Sequence, residues 1–135
     1  NQGMLSIYLS QIFKSSEVRV TGSLTRSRDF IYISDIIDAF TSIKILKNKF
    51  NDILNLGSGK EVKVNTLLKY LFRLTNKKYK VFILNEHSGD TNNSCADVSL
   101  IKQMGWRNKI TLAQGVKKVI KDLKNFNENN GSFNR

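Results

Sequence analysis

The feature that most limits what this chain can fold into is an alternation between segments of helical periodicity and short runs of β-forming residues. Met4–Lys14 carries apolar side chains at the spacing of an amphipathic helix, and Val18–Thr21 is a β-forming run that stops at Gly22. A helix with one apolar face has to bury it against another layer, and an alternating order of helices and strands is typical of α/β proteins. We therefore expect an α/β domain.

The remaining predicted strands are short and lie between the predicted helices. They are Phe30–Ile33, Asp52–Leu56 and Lys80–Leu84, and the second of them runs directly into the glycine-rich turn Gly57–Gly59. A long polar loop, Asn85–Ala96, follows the third strand. Short strands of this kind, each followed by a turn signal, agree with the α/β class.

Capping residues and apolar spacing predict four further helices. Ser34 caps the first, with Asp35 in its first turn, where a negative charge interacts favourably with the helix dipole. Thr111 and Gln114 have the spacing of a capping box, so the closing helix is expected to begin there. Asn65 caps the second of these helices, and the third is short, spans Ser99–Met104 and is capped by Asp97. The residues expected to face the core are Ile36, Phe40 and Ile43 in the first helix, Leu68, Leu71 and Phe72 in the second, and Leu112, Val116, Val119, Ile120 and Leu123 in the closing helix.

The composition changes at Asn125. From there to Arg135 the sequence is dominated by Asn, Gly and Ser, which bury too little apolar surface to offset the entropy of ordering the backbone. We expect residues 1–124 to form the ordered region and residues 125–135 to form a disordered polar tail.

The formal net charge is +11, from 22 basic and 11 acidic side chains. Such a charge favours anionic partners, among them a sugar nucleotide diphosphate and nucleic acid. The basic residues are scattered, and the cluster Lys117, Lys118, Lys121 and Lys124 has no aromatic residues between its members that could stack on bases. Nucleic acid is therefore the less favoured of the two partners.

No apolar run approaches the ~20 residues that a membrane-spanning helix needs, and residues Asn1–Met4 do not have the pattern of a signal peptide. Cys95 is the single cysteine, so an internal disulfide is impossible and a reducing compartment is expected. Neither a second thiol nor clustered histidines accompany Cys95, so we expect it to be a small buried residue and no metal to be bound. The predicted location is the cytoplasm, with no membrane partner.

Three stretches carry side chains suited to binding chemistry. In the first, Arg28 lies at the mouth of a predicted strand, where its planar fork suits a phosphate or carboxylate, although a surface ion pair with Asp29 is the simpler alternative. In the second, the turn Gly57–Gly59 either cradles a phosphate with its amides or is a tight turn between strand and helix. The full Gly-x-Gly-x-x-Gly pattern does not follow it.

The third stretch consists of His87-Ser88-Gly89-Asp90, Ala96-Asp97 and Gly105-Trp106. His87 is either an acid–base or anion-donating group or a solvated loop residue. Trp106 is expected to anchor the closing helix.

In order and spacing, these segments resemble the C-terminal half of the extended short-chain dehydrogenase/reductase family. The resemblance covers roughly Asn1–Lys124. Each motif is modest alone, but their occurrence in this order makes the match specific. The segments that carry it are Arg28-Asp29-Phe30-Ile31-Tyr32, Asn55-Leu56-Gly57-Ser58-Gly59, Gly89-Asp90, Ala96-Asp97 and Gly105-Trp106.

The resemblance implies a function for five residues. Arg19 and Thr21 would contact the nucleobase through their backbone groups, Arg28 would bind the substrate diphosphate, and Asp90 would orient the ribose or a phosphate-binding partner. His87 stands where the family has a second diphosphate-binding arginine. A neutral imidazole offers one hydrogen-bond donor where a guanidinium offers five, so this departure weakens the expected diphosphate site.

The family's catalytic and coenzyme-binding motifs do not occur in this sequence. No Rossmann glycine-rich loop is present, and the residues four positions after Tyr8, Tyr32, Tyr70 and Tyr79 are all apolar, so the family's Tyr-x-x-x-Lys pair is absent. No catalytic residue and no NAD-binding residue is expected in this chain. The resemblance implies that NAD is bound by an N-terminal Rossmann half outside this sequence, and that the chain alone is an inactive fragment.

The sequence therefore predicts the substrate-binding part of an NAD-dependent nucleotide-sugar epimerase or dehydratase. Gly3–Ile7 and Gly22–Leu24 look closest to family members from bacterial surface-polysaccharide pathways. The expected partners are a nucleotide sugar and the Rossmann half, and a homo-oligomer is compatible with the sequence. A stand-alone sugar-nucleotide or anion-binding module and a basic nucleic-acid-binding protein remain as alternatives.

Overall fold

Helices and short strands alternate along the part of the chain that the structure describes. A computed structural model describes residues 3–42, 53–85 and 91–131, and the side chains of its last helix as far as Asn125. The predicted α/β class is confirmed. In chain order the elements are α1 Met4–Lys14, β1 Glu17–Thr21, β2 Ser27–Asp29, α2 Ile33–Thr41, β3 Glu61–Lys63, α3 Val64–Thr75, β4 Lys80–Leu84, β5 Asn93–Ser94, α4 Ser99–Gln103 and α5 Leu112–Gly131.

The described strands form two small sheets. β1 and β4 pair in parallel, with Thr21 opposite Leu84 at their carboxyl ends. β2 is the central strand of the other sheet, antiparallel to β3 and parallel to β5, with Arg28 opposite Ser94. The amide of Gly22 donates to the Leu84 carbonyl at 3.0 Å, so the chain leaves β1 beside the point where it leaves β4.

The main core lies between α1, α3, α5 and one face of β1. On β1, Val18 and Val20 are buried while Arg19 between them is exposed, which is the alternation expected of a strand with one covered face. The apolar face predicted for Met4–Lys14 and the core positions predicted for α3 and α5 are confirmed. The buried members of this core are Tyr8, Leu9, Ile12, Val18, Val20, Val64, Leu67, Leu68, Leu71, Val116 and Ile120, and Leu5, Phe72, Leu112, Val119 and Leu123 pack against them.

A second, smaller cluster surrounds Trp106, whose buried neighbours are Ala39, Val98 and Ile101. The indole Nε1 donates to a carboxylate oxygen of Asp38 at 3.0 Å, which supplies the partner that a buried tryptophan N–H requires. Ala39 lies on α2, Val98 directly precedes α4, and Ile101 lies within α4. The prediction that Trp106 anchors the closing helix is therefore wrong, because α2 offers the indole both an apolar contact and an acceptor.

The capping box of the closing helix is confirmed. The Gln114 side-chain oxygen accepts from the amide and the hydroxyl of Thr111, each at 2.9 Å, and the Gln114 amide donates to the Thr111 hydroxyl at 3.3 Å. The helix then continues to Gly131. The expectation of a disordered tail from Asn125 is therefore wrong for residues 125–131. Once a helix is nucleated, each further residue adds one hydrogen bond, so the helix can extend through poor helix formers.

The chain follows a different course from the predicted one between Ser27 and Thr41. The strand predicted over Phe30–Ile33 is instead Ser27–Asp29, and α2 already begins at Ile33 with Tyr32 as its cap residue rather than Ser34. Apolar alternation marks residues that can form a strand, but it does not show where a neighbouring strand offers hydrogen bonds.

The face of α2 that turns inward also differs from the prediction. Asp35 and Ala39 are buried, whereas Phe40 is 74% exposed. The Asp35 carboxylate accepts a hydrogen bond at 3.0 Å from the Ile110 amide in the loop before α5, and this contact draws its side of the helix inward. Ile43 lies outside the described residues.

Two further boundaries depend on tertiary contacts. α3 begins at Val64, not after an Asn65 cap, because the amides of Val64 and Asn65 donate to the carbonyls of Arg26 and Leu24, each at 3.0 Å. No strand is formed at residues 53–56, the described part of the predicted strand Asp52–Leu56.

Candidate functional site

Arg28 lies at the centre of the three-stranded sheet and is half-buried. Its Nη1 donates to the Ser27 carbonyl at 2.8 Å and to the Asn92 carbonyl at 3.3 Å. The Ser27 amide donates to the same Asn92 carbonyl at 3.0 Å. The guanidinium is therefore held between its own strand and the segment that follows the His87–Asp90 motif.

The Ser27 side chain joins the three strands of this sheet. Ser27 is 1% exposed, and its hydroxyl lies 2.9 Å from a Glu61 carboxylate oxygen on β3 and 3.1 Å from the Asn93 side-chain oxygen on β5. Because Ser27 precedes Arg28 directly, these contacts fix the backbone from which the arginine extends.

The Asp29 carboxylate is seated in the glycine-rich turn. One oxygen accepts from the amide of Ser58 at 2.9 Å and from the hydroxyl of the same residue, and the other accepts from the amides of Gly59 at 2.9 Å and Ala96 at 3.3 Å. A Cβ added to Gly57 would lie 2.6 Å from an Asp29 oxygen and from the Ala96 Cβ, so only glycine fits there. The turn that could cradle a phosphate thus binds a carboxylate of its own chain.

This arrangement decides between the two interpretations of the turn. Amides that already bind Asp29 are not available to the pyrophosphate of NAD. Among the described residues, this turn does not fit an NAD site, and its hydrogen bonds to Asp29 favour the interpretation as a tight turn between strand and helix. Sequence analysis missed this role of Asp29; the signal that could have found it is a lone carboxylate next to Arg28 together with a Gly-x-Gly turn that lacks the rest of a dinucleotide motif.

Cys95 lies beside the same carboxylate. Its side chain is exposed, which corrects the expectation of a small buried residue. The segment 91–95 runs along the outer edge of the sheet, so its side chains remain accessible. Desolvation by surrounding atoms and then the negative charge of Asp29 raise the pKa of the Cys95 thiol, which disfavours the thiolate form that a nucleophile needs.

Two acidic residues of α2 hold the loop that leads to the closing helix. Asp35 is 2% exposed and accepts from the Ile110 amide at 3.0 Å. Asp38 accepts from Lys109 Nζ at 2.6 Å as well as from Trp106. The hydrogen bond from Lys109 is the largest effect on the pKa of Asp38 and lowers it; desolvation, the next in size, opposes it, and the hydrogen bond from Trp106 lowers the pKa further. Sequence analysis assigned Asp35 only a helix-dipole role.

The cap residue of α4 is Val98, so the capping role predicted for Asp97 is shifted by one position, and Asp97 contacts the start of the helix from the residue before the cap. Its carboxylate accepts from the amide and the hydroxyl of Ser99, the first residue of α4, at 2.9 and 2.6 Å. These hydrogen bonds lower the pKa of Asp97, because they stabilise its charged form.

The residues predicted to bind the nucleobase lie on β1. Arg19 is exposed, and its amide donates to the Gln11 side-chain oxygen at 2.7 Å, so a nucleobase that uses this amide has to displace Gln11. Thr21 ends β1 opposite Leu84. The backbone contacts predicted for Arg19 and Thr21 stay predictions.

His87 and Asp90 lie outside the described residues, but the described residues on either side of them are informative. Leu84 lies opposite Thr21, and Asn92 contacts Arg28. The described residues Leu84 and Asn92 are therefore each in contact with a predicted binding residue.

A cleft of about 470 Å³ opens between β3, the start of α3 and the loop before α5. Phe30, Glu61, Tyr70, Asn108 and Leu112 are among the residues that line it, whereas Arg19, Thr21 and Arg28 are not. The three described residues of the predicted site therefore do not line this cleft.

Within the described ranges, no helix is long and apolar enough to cross a lipid bilayer. In the same part of the chain, no group of three or more His, Cys, Asp or Glu side chains is arranged to hold a metal ion.

Comparison with known proteins shows which enzymes the chain resembles in sequence. No family model matches the chain. A UDP-glucuronate 4-epimerase of Thermodesulfobacterium geofontis is 34% identical over 84% of the chain and 35% of its own length. A dTDP-4-dehydro-6-deoxyglucose reductase of Escherichia coli is 29% identical over 91% of the chain and 39% of its own length.

Solved structures agree in fold. The chain superposes on the UDP-glucose 4-epimerase of Thermotoga maritima with a TM-score of 0.83 and 25% identity, over 92% of this chain and 40% of that one. The UDP-glucuronic acid 4-epimerase of Bacillus cereus, solved with UDP-glucuronic acid and NAD, gives a TM-score of 0.77 at 22% identity, which shows the fold alone. This chain spans about 35–40% of the length of such relatives. It is similar to the C-terminal part of nucleotide-sugar epimerases and related enzymes of the extended short-chain dehydrogenase/reductase family.

Proposed function

We propose that this chain is the nucleotide-sugar-binding region of an NAD-dependent epimerase or dehydratase, with Arg28 binding the substrate diphosphate. NAD and the base chemistry are supplied by a coenzyme-binding half outside this sequence, and the chain alone is inactive. The proposal includes the cytoplasmic location and the surface-polysaccharide pathways expected from the sequence. Its support is the similarity to enzymes whose names specify UDP-sugar and dTDP-sugar substrates, together with the geometry around Arg28.

One juxtaposition carries the proposal. Thr21 lies opposite Leu84, and Arg28 contacts Asn92, so the chain between Leu84 and Asn92 connects the two places where nucleobase and diphosphate contacts are expected. In this proposal one nucleotide sugar contacts both of these places. Arg28 is the described side chain best suited to its diphosphate, because a guanidinium presents paired donors to phosphate oxygens.

Exposed apolar side chains support the existence of a covering half. On α2, Ile33, Ile37 and Phe40 are 60%, 57% and 74% exposed at the spacing of one helical face. β4 exposes Phe82 and its neighbours, with Ile83 61% exposed. Apolar patches of this kind mark interaction sites on soluble proteins. We assign α2 and β4 to the contact with the coenzyme-binding half.

The test is calorimetric titration of UDP and UDP-glucose into the protein with its coenzyme-binding half in place. A charge-assisted hydrogen bond contributes about 1.5–3 kcal/mol. Arg28→Ala should therefore weaken the binding of both ligands by about one to two orders of magnitude. NAD affinity should not change, because the coenzyme is held elsewhere. His87→Arg, which restores the arginine of the family pattern, should tighten UDP binding or leave it unchanged, with a smaller gain at high salt.

Arg107→Ala is the matched control for Arg28→Ala. Arg107 Nη1 also donates to backbone carbonyls, those of Lys102 and Trp106, at 2.6 and 2.9 Å, but it lies after α4 and outside both sheets. This variant should bind UDP as the wild type does. Wild-type affinity in Arg28→Ala would show that the diphosphate site has been assigned to the wrong residue. Micromolar binding of NAD by the 135-residue chain alone would refute the division of roles between the two halves.

A further inference from the structure

We propose that Asp29 is a positioning residue for this substrate site: its carboxylate, bound by the Gly57–Gly59 turn and by Ala96, holds Arg28 and the segment 91–96 in the arrangement that the diphosphate requires. The inference rests on the proposed function and deepens it, because it assigns a role to a residue that does not itself face the substrate.

The first support is the number of places that the Asp29 carboxylate joins. It accepts from Ser58 and Gly59 on one side of β2 and from Ala96 on the other. Hydrogen bonds between a carboxylate and backbone amides are charge-assisted and stronger than neutral ones. Asp29 therefore connects β2 to two segments that are distant from it in sequence.

The second support is that segment 91–96 is held at its two ends, with only a very short strand between them. Its strand, β5, consists of Asn93–Ser94 alone, and a strand this short gains little from its own ladder. Asn92 is held by Ser27 and Arg28 at one end of the segment, and Ala96 is held by Asp29 at the other. Release of the Asp29 end leaves only the contacts with Ser27 and Arg28, among those described, to hold the segment beside the guanidinium.

The third support is the close fit around the carboxylate. At Gly57 an added Cβ would meet an Asp29 oxygen at 2.6 Å, and at Gly59, where φ is +68°, it would meet Val98 at 2.5 Å. A turn enclosed this tightly holds the carboxylate, and with it the backbone of the adjacent Arg28, in one position.

The perturbation that tests the inference is Asp29→Asn. The amide has the same shape as the carboxylate, but it has no charge and directs its NH2 group at backbone N–H donors. The readout is the rate at which phenylglyoxal modifies Arg28 in the full chain, followed by peptide mass spectrometry. Arg107 in the same molecule is the internal reference, since its Nη1 also donates to backbone carbonyls. UDP-glucose affinity is measured in parallel with the coenzyme-binding half in place.

Loss of the charged tether should accelerate modification of Arg28 by up to about tenfold, with Arg107 unchanged, and should weaken UDP-glucose binding by a similar factor. Ser58→Ala removes the hydroxyl donor alone and should shift the same two readouts less, which keeps the test decisive if Asp29→Asn does not fold. Asp97→Asn is the control, because the Asp97 carboxylate binds Ser99 at the start of α4 and makes none of the described contacts with β2. This variant should keep the wild-type rate of Arg28 modification and the wild-type affinity for UDP-glucose.

Equal acceleration at Arg28 and Arg107 would reveal general loosening and overturn the positioning role. Unchanged modification of Arg28 in Asp29→Asn would overturn it as well. If Arg28 alone is accelerated but the wild-type protein does not bind UDP-glucose, the positioning of Arg28 is upheld and the proposed function fails.

Discussion

Replacing Gly57 by alanine tests the packing of the turn around Asp29 directly. The new Cβ would lie 2.6 Å from the Ala96 Cβ and from an Asp29 oxygen, closer than such atoms approach in real structures. Neither neighbour is the free end of a flexible side chain: Ala96 is fixed by its backbone, and the Asp29 carboxylate is bound by Ser58, Gly59 and Ala96. The substitution therefore has to displace β2 or the turn.

The size of the effect follows from two contributions. Overpacking of a close-packed site costs about 1–3 kcal/mol. A displaced carboxylate also leaves the amides of Ser58 and Gly59 without their acceptor, and an unsatisfied buried donor costs about 1–3 kcal/mol. The reduced freedom of the unfolded chain returns about 0.4–1 kcal/mol. We expect Gly57→Ala to lower the free energy of unfolding by about 1–5 kcal/mol.

The assay is urea unfolding followed by circular dichroism, at one protein concentration because association shifts the apparent stability. Gly3→Ala is the matched control: an added Cβ meets no atom within 4 Å, and the backbone at φ −66° and ψ 154° suits alanine. This control should stay within about 1 kcal/mol of the wild type. If Gly57→Ala is no less stable than Gly3→Ala, the turn does not enclose Asp29 as described.

Three further predictions concern the remaining surfaces. The hydrogen bond from Lys109 lowers the pKa of Asp38, so the stabilisation by the charged Asp38 carboxylate is present above the ordinary carboxyl pKa and is lost as the pH falls through the lowered value. The difference in Tm between wild type and Asp38→Asn should therefore close below about pH 4. Gln114→Ala removes the capping box of α5 and should lower the free energy of unfolding by about 1 kcal/mol in urea titrations. The chain alone should self-associate through its exposed α2 face, and Phe40→Ser should shift it toward monomer in analytical ultracentrifugation; an unchanged sedimentation profile would count against that face.

The sequence was sufficient for the elements whose signals are local. α1 extends over Met4–Lys14 as predicted, because its apolar spacing alone defines an amphipathic helix. The start of α5 was equally predictable, because Thr111 and Gln114 satisfy each other within one turn. The family resemblance could also be read from the sequence, since it depends on motif order and not on contacts.

The roles of Asp29, Asp35 and Phe40 were decided only by the tertiary structure. Each of these side chains took a position that depends on residues distant in sequence: the Asp29 carboxylate on Ser58 and Ala96, and the inward face of α2 on the amide that Ile110 offers to Asp35. Local periodicity shows that a helix has an apolar face, but it contains no information about which distant donor a carboxylate will meet. For that reason the glycine-rich turn, which in sequence is compatible with a phosphate site, became the binding place of Asp29 once β2 packed beside it.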